Sequence, residues 1–135
     1  MTIYERDVVP AIRAFGQAMS TELGMSLFLA LYRHEAETRR RRDKAFDFHE
    51  SHNRRLSKRY TELSGDATWS AGVESGVRRA LLAYIADVGN VTMTQAEHQL
   101  MHEMGAFTRD VDRQTVNAML AAHPMALDLS RGISA

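Results

Sequence analysis

Arg39, Arg40, Arg41 and Arg42 are consecutive, and Arg54 and Arg55 follow in the same charged stretch. A guanidinium is a permanently charged planar fork that fits carboxylates and phosphates. On a helix, four consecutive side chains point around nearly the whole circumference. That suits an extended acidic surface or a phosphate backbone better than one bidentate pocket. No aromatic side chain interleaves with Arg39–Arg42, which argues against a stacking platform for single strands. Glu35, Glu37 and Asp43 neutralise part of the run, as on an ordinary solvated helix face. Arg39, Arg40, Arg41, Arg42, Arg54 and Arg55 are the residues expected to hold a partner.

Arg109, Arg113 and Asn117 carry a second chemistry. They stand at i, i+4 and i+8 of an expected last helix, and Arg and Asn are the side chains that read guanine and adenine edges. With a short helix opening at Thr94 and closing at Gly105, they outline a helix-turn-helix over 94–122. Asp110 and Asp112 oppose this, because a recognition helix brings its first turn close to phosphates. Histidines offer a third chemistry. His49 and His52, and His98 and His102, have the spacing to share a helix face, yet none has Glu three residues earlier, as the di-iron bundle pattern requires. With no cysteine and no His-Glu-x-x-His, no metal site and no cofactor are expected. Nucleophile elbows, phosphate-cradling glycine loops and dinucleotide fingerprints are absent from the sequence, so no catalytic residue is assigned and no enzyme is expected.

These side chains need a scaffold, and every segment reads as helix. No stretch alternates with the period of a strand. Between Gly24 and Gly65 there is neither Pro nor Gly, and the spacing predicts one long charged helix over roughly 25–63, with a break near Arg39–Asp43 as the alternative. Such a helix would run about 58 Å, longer than a domain of this size, so it must project, break or pair with another copy. Thr2 and Glu5 have capping-box spacing, and Pro10 interrupts the helix they open. Val8, Ile12, Phe15, Met19 and Leu23 then form an apolar stripe that should face the core, ending at Gly24 as a C-cap. Gly65 with Asp66 and Thr68 marks a stop and a start. The helix beyond has Trp69, Val73, Val77, Leu81, Tyr84 and Val88 along one stripe, ending near Gly89-Asn90. Its second line, Gly72, Gly76 and Ala80, predicts close approach of another helix. Thr94 and Glu97 predict the next capping box. Val116 and Leu120 face inward on the last helix, from about Arg109 to Ala122, and His123-Pro124 ends it. The tail, 125–135, should lie partly against the body through Leu127, Leu129 and Ile133, and partly flexible.

The expected architecture is therefore all-α, about five helices in a single domain over 1–135, with shorter helices around the ends of the long one. The 135-residue chain is 44% hydrophobic, 25% charged and neutral overall. Residues 33–59 nevertheless hold ten Lys/Arg against five Asp/Glu, +5 against −5 elsewhere. Charged Glu5, Arg6 and Asp7 near the start and the shortness of the run Leu27–Tyr32 leave no membrane segment, and the expected compartment is cytoplasmic. The functional expectation is a small regulatory binding protein. It engages another macromolecule, foremost an acidic protein surface, through the basic helix, and forms a homodimer. A DNA-binding regulator and a metal-binding helical bundle are the rivals.

Overall fold

Helices account for every regular element among the described residues: a π-helical turn (Tyr4–Val8), α1 (Val9–Met19), α2 (Glu22–His52), α3 (Lys58–Gly89), α4 (Met93–Asp110), α5 (Arg113–Ala122) and α6 (Met125–Gly132). The computed structural model describes the backbone at residues 2–52 and 58–132 and the side chains at 2–49 and 58–129. The all-α architecture with a long charged helix is as expected from the sequence.

Thr2 accepts a hydrogen bond from the Glu5 amide at 3.1 Å, half of the expected capping box. Pro10 has no amide to offer Arg6, and the turn before it widens so that the Val9 amide reaches back to the Tyr4 carbonyl. The proline thus loosens the helix and leaves it unbroken.

The head of the molecule is organised around the first half of α2. Leu27, Phe28, Leu29, Ala30 and Leu31 are all buried, and a helix apolar on every side has to be surrounded. Its neighbours supply Ala14 and Ala18 from α1, Val77, Leu81 and Ile85 from α3, Leu100 and Met104 from α4, Val116 and Leu120 from α5, and Ala126 from α6. Phe15, Phe28, Phe107 and Tyr32 meet edge to face in sequence, with centroids 5.7, 5.2 and 5.0 Å apart, joining α1, α2 and α4. Thr21 sits at the entry to α2, accepting from the Gly24 amide at 3.0 Å and bonding the Tyr84 hydroxyl at 2.8 Å. Gly24 is accordingly inside the first turn of α2 and caps nothing behind it. A Cβ there would lie 1.9 Å from the Ala18 carbonyl oxygen.

Beyond Tyr32 the apolar cluster stops, and α2 continues with only α3 beside it as an antiparallel arm. The pairing is fixed by the buried Thr38–Ser70 hydroxyl contact at 2.9 Å, by Arg78 on Glu35, and by the rings of His49 and Tyr60 5.6 Å apart. The expected single helix over 25–63 is thus divided between α2 and α3, which run antiparallel, and the alternative break at Arg39–Asp43 lies inside α2. Gly65 and Asp66 do not end a helix either. They lie within α3, where Leu63, Ala67 and Ser70 hold the strip that faces α2.

Other boundaries move as well. The capping box of α4 is made by Thr92 and Gln95, two residues before the expected pair, with both reciprocal bonds present at 2.9 and 3.1 Å. α4 then runs through Gly105 to Asp110. Residues 125–132 form α6, a helix where a partly flexible tail was expected, with Ala126 fully buried; Ile133 lies outside the described residues. Of the stripe expected along α1, Phe15 and Met19 pack against the core beside the buried Ala11, Ala14 and Ala18, whereas Ile12, and Val8 and Leu23 on either side of the helix, are exposed. Gly72, Gly76 and Ala80 are exposed, and a Cβ on Gly72 would meet nothing within 4 Å, so the expected close approach is not made along this line among the described residues. It occurs instead at Gly89, where a Cβ would stand 2.0 Å from that of Ala14. The neighbouring Asn90 takes the left-handed conformation that ends α3.

Candidate functional site

Where the head meets the arm, α2, α3 and α5 enclose a cleft of about 570 Å3. Its positive groups are Arg33, Arg40 and Arg41 from α2 and Arg113 from the first turn of α5, with Asn117 one turn further on. Trp69 of α3 and Tyr32 form aromatic walls, and the buried His34 also lines the cleft. Among the described residues, Glu37 is the one carboxylate lining it.

Local structure explains the convergence. Arg33, Glu37, Arg40 and Arg41 are spaced i, i+4, i+7 and i+8, so one face of α2 presents them together. Asp112 accepts from the Thr115 amide at 2.7 Å and N-caps α5, which starts that helix at Arg113 and aims Arg113 and Asn117 back over α2. Buried Val116 and Leu120 hold α5 down. At its far end His123 contacts Glu22 at 2.6 Å, tying it to the start of α2.

Charge in the cleft is partly balanced from within. Glu37 accepts from Arg40 at 2.6 Å and from Arg41 at 2.7 Å. The hydrogen bond from Arg40, with that from Arg41 behind it, holds the Glu37 carboxyl down at about 2. Its folded pKa is thus below the ordinary 4.5, so the clamp's stabilisation is full above that value and is lost as pH falls through about 2. Arg41 also stacks with its guanidinium carbon 5.9 Å from the Trp69 ring centre and donates to the Asp66 carbonyl at 3.4 Å. Among the described residues, Arg33 and Arg113 have no ion-pair partner.

The arginine run is therefore split by the helix. Arg40 and Arg41 enter the cleft, whereas Arg39 and Arg42 lie beside a separate depression of about 330 Å3 with Glu35, Asp43 and Glu74. There burial pushes the Glu35 carboxyl up, against the opposing pull of Arg78. Arg54 and Arg55 fall outside the described residues. Arg113 and Asn117 come together as expected, but Arg109 does not join them: it ends α4, beyond the bend at Val111–Asp112, and pairs with Asp110 at 3.0 Å. The expected last helix from Arg109 is shortened accordingly, and the turn falls six residues after Gly105. His98 and His102 are exposed on α4, and no group of three metal-ligating side chains occurs among the described residues.

Reading the sequence missed Arg33, His34 and Trp69. Arg33 had a signal in its spacing to Glu37 and Arg40, whereas Trp69 reads locally as core. No helix among the described residues is long and apolar enough to cross a membrane. No family model, curated protein or solved structure matches this chain.

Proposed function

We propose that this protein is a non-enzymatic binding protein whose arginine cleft receives an acidic segment of another protein. The observation that carries the reading is the convergence of Arg33, Arg40, Arg41 and Arg113, from two helices, on one concave site with a single internal carboxylate among the described residues. Forked donors at several angles match the carboxylates of an extended acidic segment, and the Trp69 and Tyr32 walls accommodate an apolar side chain between them. The volume is that of a ligand pocket, enough for a few side chains. Duplex DNA fits less well. A reading helix must protrude into a major groove about 12 Å wide, and Arg113 and Asn117 line a concavity instead.

Trp69 is the only tryptophan in the chain and lies in the cleft wall, so its fluorescence reports occupancy directly. Titration with a Glu/Asp-rich peptide carrying one Leu should change that emission saturably. Arg40→Ala with Arg113→Ala should weaken binding by a factor of ten or more, since bonds to charged groups are worth roughly 1.5–3 kcal/mol. Glu37→Gln should strengthen it by releasing Arg40 and Arg41. No saturation, together with retention of duplex DNA that depends on the same arginines and falls steeply with salt, would transfer the site to nucleic acid.

Self-association is the second part of the reading. Phe46 is 62% exposed on an arm otherwise rich in charge, and the outward face of α3 carries Gly65, Gly72 and Gly76. A two-fold pair of arms would cover such a face. Sedimentation equilibrium giving a monomer at micromolar concentration removes this part and leaves the cleft reading intact.

A further inference from the structure

α1 carries more apolar surface than the fold covers. Ala11, Ala14 and Ala18 are buried and Phe15 and Met19 pack only in part against the core, so these two, with Ile12 and with Val8 of the preceding turn, line a surface groove between α1 and α4. The groove has two parts, of about 730 and 380 Å3, both lined by Glu103. Together they follow α4 from Gln95 to Asp110, most of its 18 residues, a length of about 24 Å. That is the footprint of a helix of several turns, and two packed helices leave such a channel for a third.

The chemistry of the walls selects what lies there. The wider part is edged by exposed Val8 and Ile12, and the narrower is floored by Phe15, Met19, Phe28 and Met119. Methionine-rich floors adapt to bulky apolar anchors at helical spacing. The carboxylates lining the groove are Asp7, Glu103 and Asp110, the wider part also has His98 and His102, and no Lys or Arg lines it among the described residues. Glu103 accepts from the buried Gln99 amide at 2.8 Å, which fixes its position in the groove. Asp7 and Asp110 contact Arg6 and Arg109 at 3.3 and 3.0 Å, exposed neighbour pairs that an incoming cation can replace at little cost.

We infer that the α1–α4 groove docks an amphipathic helix of a partner protein, apolar along one stripe and basic on its flanks. The site is independent of the arginine cleft. The chain then has two faces of opposite preference, one for acidic segments and one for basic helices. A second copy's arm is a poor occupant, because the apolar strips of α2 and α3 are already turned toward each other.

A fluorescein-labelled 18-residue Leu/Lys peptide with its leucines on one face, followed by anisotropy, tests this directly. Saturable binding at micromolar concentration is expected. Asp110→Lys, at an exposed position, and Glu103→Lys should each weaken it about tenfold, and Ile12→Asn should do the same with the circular dichroism spectrum unchanged. Arg113→Ala should leave it unaltered. Equal binding of an isomeric peptide with scattered leucines would overturn the inference, as would indifference to both charge reversals. Failure of the peptide to bind a protein whose dimer is dissolved by Ile12→Asn would assign the groove to a second copy and equally overturn it.

Discussion

The same helix lives in two environments. At Leu27–Leu31, α2 touches apolar side chains in every direction, whereas at Thr38–His49 it meets only α3, through Thr38, Ala45 and a ring contact. In the head, burial of branched side chains at roughly 25 cal/mol per Å2 sets the geometry. In the arm, small residues and hydrogen bonds do so, and the arginines are carried on a framework with little apolar area beneath it. The cleft lies at the boundary, where the head fixes α5 and the arm supplies Arg40, Arg41 and Trp69. Rigidity on one side and reach on the other is the lesson of the contrast.

Cutting the core should expose the largest difference. Leu31→Ala, in the fully buried centre of the head, should cost roughly 3–5 kcal/mol in chemical denaturation, while Leu63→Ala in the arm should cost under about 2, since a thin two-helix contact collapses around the gap. Equal costs would erase the distinction between the regions.

Glycine substitutions should separate the two by sign. Gly89→Ala drives a methyl into Ala14 and should lower stability by about 1–3 kcal/mol, with the melting temperature as readout. Gly72→Ala, with open space around its Cβ, should raise stability by about 0.5–1 kcal/mol. If Gly72→Ala instead weakened dimerisation, the outward face of α3 would be an occupied surface rather than a bare one.

A further test lies at the arm's buried hydroxyl pair. Thr38→Val alone leaves the Ser70 hydroxyl without its partner and should cost about 1–2 kcal/mol, whereas Thr38→Val with Ser70→Ala should recover much of that. A double mutant cycle showing no coupling would mean that the arm is held by its apolar strip alone.

How far the sequence could go is clear from individual residues. Helix was legible everywhere because nothing alternates and the residues are good formers. The innermost side of α1 was not, because periodicity reports that a helix has an apolar face and does not say whether its large side chains or its alanines lie deepest. The alanines do, because they let α1 approach Gly89 closely. Gly65 was read as a stop because glycine costs about 1 kcal/mol in a helix, but a ladder anchored on α2 by Leu63, Ala67 and Ser70 offsets that. Arg40, Arg41, Arg113 and Asn117 were each identifiable by type. Their meeting was not, since it depends on an antiparallel return and on a bend set by Asp112, which bring together residues about seventy positions apart.

The central place of Leu27–Leu31 also has a consequence for synthesis of the chain. The run leaves the ribosome soon after α1, which covers one side of it, but the rest of its covering is drawn from α3 to α6, and the last of that, Ala126, emerges only after α3, α4 and α5. At about 5–20 residues per second the five apolar residues stay only partly covered for several seconds or more. During that interval the arm can already zip locally through α2 and α3, which keeps the nascent chain charged and extended at its midpoint while its apolar centre waits. Transcripts truncated before α6 should accordingly yield a product that is helical but sticky, a substrate for chaperones rather than a shorter version of the protein.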